Sequence, residues 1–288
     1  MSGLPERIRS LSPERRALLE MLRRERAGDA ITPRGPAPWA PLSFAQQRMW
    51  FLDRFDPGNP GYNVYAAVRL RGPLDAGALE RAVAALRERH ETLRTRFNLR
   101  EGALVSSIAE PAPIPLPVSE IPAGDGDETA RRLAVEEART PFDLAEGPPL
   151  RVRLLRRAAD DHLLLLTVHH IAADGWSLGV LVEELAVLYR AFAAAEPNPL
   201  PPPPIQYADY AVWQRETLTD ERLAEGLSYW RGELAGAPAL LELPADRPRP
   251  AQRSGEGRRL EFALSDELSE EVRVLARGER VTVFMVLL

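Results

Sequence analysis

Residues 162–193 constrain this chain more than any other stretch. His162 to Val168 is an apolar run dense enough to be a strand buried on both faces. It ends in two adjacent histidines, His169 and His170. The short loop IAADG follows, and then Leu178, Leu181, Val182, Leu185, Leu188, Tyr189 and Phe192 recur at i, i+3, i+4, i+7 spacing. A buried strand that hands off to an amphipathic helix belongs to a layered α/β domain. Neighbouring residues at a strand end point to opposite sides. One histidine of the pair can therefore face a cavity while the other supports the backbone behind it. The helix aims the positive end of its dipole at the loop, which disfavours imidazolium. A neutral imidazole can accept a proton or hold an amine by hydrogen bond. Asp174 stands at the helix start, where it can cap the helix or pair with an arginine. Gly175 permits a tight turn and close backbone approach.

Other chemistries are poorly supplied. The chain has four histidines and no cysteine. Thiolate catalysis, disulfides and zinc–thiolate sites are excluded. A metal reading of the His169–His170 pair lacks a third ligand, and Ser177 lacks the elbow motif of a nucleophilic serine. A structural reading of the pair remains beside the catalytic one. His90 lies on the apolar face of the helix carrying Leu79, Val83 and Leu86, and reads as a packing histidine. His162, at a strand start, reads as surface. A formal net charge of -5 argues against nucleic acid as the main partner. No apolar run approaches the ~20 residues of a membrane helix, and the first residues lack a signal peptide's apolar region. The expectation is a cytoplasmic protein without nucleic acid or membrane as partner.

Four regions follow from composition. Residues 1–27 read as a helical docking or linker segment, with Ser12 as cap and Leu11, Leu18, Leu19 and Leu22 as a narrow stripe. Residues 28–41 read as an extended Pro/Gly linker. Residues 42–205 read as one ordered region: a helix around Phe44–Leu52, a strand over 62–70, a helix capped by Asp75, a loop over 111–127, a helix over about 128–140, and a half-buried strand alternating Leu150, Val152 and Leu154 with arginines. A polyproline spacer at 197–204 closes it. Residues 206–288 read as helical over 206–235, with a strand at Leu260–Leu264 and a helix capped by Ser265. The last apolar stretch reads as a helix cut short, as in a truncated domain.

Against this background, HHIAADG at 169–175 resembles the HHxxxDG signature of nonribosomal peptide synthetase condensation domains and related acyltransferases. SFAQQRMWFL at 43–52, RHETLRTRF at 89–97 and YADYAVWQ at 207–214 resemble further core motifs of that family, in the expected order. The resemblance covers about 42–288. It implies an α/β, chloramphenicol acetyltransferase-like fold, with residues 42–205 as a complete first lobe and residues 206–288 as the start of an incomplete second. It implies amide-bond formation between a donor acyl thioester and an acceptor amine. Both would arrive on phosphopantetheine arms of an upstream donor and a downstream acceptor carrier protein, beside an adenylation domain in the parent protein. No cofactor or metal is expected on the domain itself, and a piece lacking the second lobe is expected to be inactive or weak.

The resemblance assigns His170 to orienting the amine and relaying its proton, with His169 as support. It implies that Asp174 is structural and pairs with an arginine, for which Arg89 and Arg94 are the candidates. Gly175 offers its N–H to the developing oxyanion, and Trp213 packs in support of the site. Three rivals remain: an epimerization domain, a stand-alone acyltransferase, and a degenerate module that binds carriers without turnover.

Overall fold

A computed structural model describes residues 30–35, 37–112, 115–122, 126–240, 242, 244–248 and 260–288. The expected helical segment 1–27 lies outside the described residues. The chain divides into two compact units, Met1–Ala237 and Pro238–Leu288.

The first unit is a mixed α/β body with two sheets. β2 (Asn63–Arg71), β7 (Asp161–His169), β6 (Leu150–Ala158) and β5 (Val118–Glu120) form a sheet in the order β2-β7-β6-β5. All neighbours are antiparallel except β5, which runs parallel to β6. The register sets Asn63 against His169 and Leu150 against Val168, so the histidine pair leaves the sheet at its central strand. Alternation then sorts the side chains. Leu164, Leu166 and Val168 join Leu150, Val152 and Leu154 in a core shared with α2 (Ala76–Arg89) and α4 (Gly175–Ala193). Leu165 points the other way, to Leu155, Ile121 and Ala130 beneath α3 (Gly126–Arg139). Helices on both faces account for the apolar density of β7.

A second, three-stranded sheet has the order β1 (Trp39–Pro41), β4 (Ala103–Ile108), β3 (Thr95–Arg100). The turn between β3 and β4 places Glu101 and Gly102 at φ 52° and 80°. Two consecutive positive φ values in a two-residue loop match strand twist, and glycine at the second position lowers their cost. Phe97 of β3 is buried with Leu42, Leu144 and Ile171.

Several expectations change. Residues 28–41 are not a free linker across their described part: Trp39–Pro41 pairs with β4, and Arg34 is held by Glu91 and Asp209. The stretch 111–127 contains β5, tied to β6 by the Leu154 N–H to Pro117 carbonyl bond at 2.9 Å. Past residue 205 the first compact unit continues to Ala237. α5 (Tyr207–Thr217) packs on β1, while α6 (Asp220–Glu233) buries none of its residues.

In the second unit Ser265 caps α7 (Asp266–Gly278), and Thr282 caps α8 (Val283–Leu287), which packs on α7. Leu260, Phe262 and Leu264 form no strand and are exposed, because no described strand lies beside them to complete a ladder. No described helix is long and apolar enough to cross a membrane.

Candidate active site

The two histidines divide as neighbours at a strand end must. His169 is the last residue of β7 and only 2% exposed. Its ring lies edge-on to Phe142 at 6.1 Å and tilted against Tyr62 at 6.3 Å. Its Nδ1 accepts the Ile171 N–H at 3.1 Å. Burial pushes its pKa down from 6.5 to about 4, with His170 as a second, like-charged cause. The accepted hydrogen bond agrees with a neutral ring, because a protonated Nδ1 cannot accept.

His170 is one residue beyond the strand and exposed. Its backbone N–H donates to the Tyr62 carbonyl at 2.8 Å. Its Nδ1 lies 3.1 Å from the Ala173 carbonyl oxygen. A carbonyl only accepts, so Nδ1 carries the hydrogen, and in the neutral ring Nε2 keeps the lone pair. The loop thus folds back on its own imidazole and fixes which nitrogen is available.

Asp174 is the N-cap of α4 and accepts from the Ser177 N–H at 2.8 Å and the Ser177 hydroxyl at 2.6 Å, while Ser177 Oγ accepts from the Asp174 N–H at 3.2 Å. The Ser177 hydrogen bonds hold the carboxyl below its usual range. Among the described residues Asp174 has no arginine partner, which corrects that expectation. The cap wins because Ser177 is three residues away and needs no long-range pairing.

The two arginine candidates are engaged elsewhere. Arg89 donates to Glu184 at 3.0 Å and to the Pro201 carbonyl, and Arg94 donates to the Ala109 carbonyl at 2.5 Å. Gly175 is the first residue of α4 and has no left-handed φ; a Cβ there would meet nothing within 4 Å. Its lack of a side chain is therefore not required by a tight turn. It leaves open space at a helix start, where first-turn N–H groups have no partner within the helix. Trp213 lies on α5, tilted against Tyr210 at 5.8 Å, and lines a cavity of ≈ 700 Å³ with Arg34 and Asp209 rather than the histidine loop.

A smaller cleft of ≈ 300 Å³ flanks the loop, lined by His90, Ala173, Trp176, Ser177, Gln206 and Tyr207 among others; His170 stands outside it. Trp176 is 85% exposed at its mouth. His90 donates from Nε2 to Glu184 at 2.5 Å, the satisfied packing role read from sequence. His162 is not at the surface: it is buried in register opposite Leu70 and Arg156.

Three polar residues escaped the sequence reading. Arg34 donates to Asp209 and Glu91, both at 2.9 Å, joining two of the core motifs. Burial pushes the Asp209 carboxyl up, but hydrogen bonds from the Gln206 and Arg34 backbone N–H groups and the Arg34 guanidinium outweigh it and hold it low. Ser43 and Gln46, at the start of α1 (Phe44–Phe55), are buried and bonded to each other. A buried polar pair inside SFAQQ was the available signal; for Arg34 there was none. No described cluster of three or more His, Asp or Glu forms a metal site.

The loop between a central strand and a helix of a mixed α/β unit thus presents one imidazole whose free nitrogen is set by the backbone. The condensation domain family model matches residues 38–288, and the chain belongs to that family. It is 45% identical to phosphinothricin tripeptide synthetase PhsC of Streptomyces viridochromogenes over 297 residues, covering 100% of this chain and 27% of that protein. It is 42% identical to chondramide synthase cmdD of Chondromyces crocatus over 276 residues, covering 93% of this chain and 7% of that protein. The chain thus spans a minor part of these curated relatives. Among solved structures, the X-domain from teicoplanin biosynthesis aligns with TM-score 0.69 and 35% identity, over 77% of this chain and 49% of that one. The SgcC5 protein of Streptomyces globisporus aligns with TM-score 0.65 and 33% identity, over 85% and 57%.

Proposed function

We propose that this chain carries the catalytic histidine of an amide-forming condensation unit. The acceptor is the amine of an aminoacyl thioester, and the donor is an acyl or peptidyl thioester. Both are delivered on phosphopantetheine arms by carrier proteins, with an adenylation domain in the same synthetase. The amine nitrogen attacks the donor carbonyl carbon, the C–S bond breaks, and the amine proton passes to the departing thiolate. His170 Nε2 holds the amine and carries that proton. Gly175 offers its backbone N–H to the oxyanion of the tetrahedral intermediate. The α-amino group has a reference pKa of about 7.7–8.0, so part of it is already neutral near pH 7 and a strong base is not needed. Placement therefore supplies most of the rate, and proton transfer adds roughly 10²–10⁴-fold.

The observation that carries this reading is the Nδ1–H bond from His170 to Ala173, which leaves Nε2 as the working nitrogen on an exposed ring. The test uses the full-length synthetase with loaded carriers. His170→Ala is expected to lower amide formation by roughly 10²–10⁴-fold while carrier binding persists. Unchanged product formation would remove His170 from the reaction. Chiral analysis of the thioester separates this reading from epimerization.

A second reading has one point in its favour. The teicoplanin X-domain, 34% identical to this chain, has been solved in complex with OxyB, so a chain of this fold can serve as a docking platform. Partner binding without turnover by the full-length protein would favour it.

A further inference from the structure

The proposed chemistry asks one thing of the loop 169–175: His170 must not swing. Ile171, the next residue, is held at three points. Its N–H donates to His169 Nδ1 at 3.1 Å, and its side chain is buried with Leu42, Phe97 and Leu144. Its carbonyl receives the side-chain amide of Gln46 at 3.4 Å. That distance is long for a hydrogen bond, but the bond is buried and Gln46 is only 5% exposed. A buried carbonyl stripped of its donor bears its desolvation cost in full.

The amide orientation of Gln46 follows from its partners. Ser43 N–H donates to Oε1 at 3.2 Å, so Nε2 must be the end that meets Ile171. The first turn of α1 is in turn clamped by α5. The Tyr207 hydroxyl pairs with Ser43 Oγ at 3.0 Å, which itself accepts the Gln46 N–H at 3.1 Å. Gln214 Oε1 accepts the Phe44 N–H at 2.9 Å, and Arg215 donates twice to the Leu42 carbonyl, at 3.0 and 2.9 Å. Three of the sequence motifs thus meet in one hydrogen-bonded chain that ends on the loop, and Gln46 is the single side chain that delivers it.

We infer that Gln46 is a positioning residue for the amide-forming step, holding the Ile171 carbonyl and through it the orientation of His170. This rests on the function proposed above. It is more than a packing role, because the same fold with an undirected loop would bind carriers and still react slowly.

The experiment uses the full-length synthetase, loaded carriers and single-turnover kinetics. Gln46→Met fills the space without a donor; kcat is expected to fall by roughly 10–100-fold with carrier KM unchanged, since a small misplacement of a catalytic group costs that much. Gln46→Glu keeps an acceptor for Ser43 N–H but can donate to Ile171 only when protonated. The ratio of Gln46→Glu to wild-type kcat is therefore expected to rise as pH falls, over a range in which circular dichroism and thermal melting show both proteins folded. A folded Gln46→Met with wild-type kcat, or a ratio flat with pH, overturns the inference. If Gln46→Met does not fold, the Gln46→Glu ratio decides; if neither folds, Gln46 belongs to the fold alone and the inference fails. His170→Ala run in parallel separates the two readings. An inactive His170→Ala with an indifferent Gln46 overturns only the positioning role, whereas an active His170→Ala overturns the function itself.

Discussion

β7 and α6 both carry large apolar side chains, and the molecule treats them oppositely. In β7 every large side chain from Leu164 to Val168 is buried, between α2 and α4 on one face and α3 on the other. In α6, Leu223, Leu227 and Trp230 share one helical face and all stay exposed. Both present large apolar side chains; only in β7 are other elements brought against them on both faces. Stability in this unit is therefore concentrated around the sheet that delivers the histidines, and α6 adds little of its own.

That contrast can be broken most directly in β7. Leu166→Ala is expected to cost about 2–5 kcal/mol in denaturant unfolding, because a buried side chain packed between the sheet and its helices is cut back to leave a void. Leu227→Ala in α6 is expected to stay within about 0.5 kcal/mol. Equal losses at the two sites would mean that burial does not decide stability here.

A subtler probe is the proton inventory of His169. Its pKa lies near 4 when folded and 6.5 ordinarily. Between these values the unfolded chain binds a proton that the native ring refuses. Its contribution is complete above about pH 6.5 and is lost as pH falls toward 4, a difference of about 3 kcal/mol. His169→Asn keeps an acceptor for the Ile171 N–H and removes the titration. Stability measured at pH 7 and pH 4.5 should fall more steeply in the wild type than in the variant; parallel slopes would show that His169 is not held neutral.

A smaller effect than either core change belongs to the helix start. Asp174→Ala removes the acceptor for Ser177, and a lost N-cap typically costs about 1 kcal/mol. If Asp174→Ala costs about 3–5 kcal/mol instead, the carboxylate has a buried ionic partner after all.

Legibility in the sequence followed the range of the interactions. The β7-to-α4 handoff was readable because its signal is local: an apolar run, then a 3.6-residue period. The caps at Asp75 and Ser265 were readable for the same reason. The β3–β4 hairpin had a local mark in Glu101-Gly102 that the reading passed over. β5 had almost none, since three residues of parallel pairing depend on a strand more than thirty positions away. Leu260–Leu264 failed in the opposite sense, alternating like a strand without a partner. At the site, the histidine pair was legible through its motif, but the partner of Asp174 was not, because the motif names the aspartate and is silent on what it touches. Arg34 reaches Asp209 across 175 positions, a contact no local pattern encodes.

The bond from His170 Nδ1 to Ala173 has a stereochemical consequence. An imidazole with both nitrogens available can collect a proton on one edge and discharge it from the other. With one nitrogen committed to the backbone, pickup and delivery share a single atom. If His170 relays the proton as proposed, the incoming nitrogen and the outgoing sulfur both have to reach that one edge of the ring.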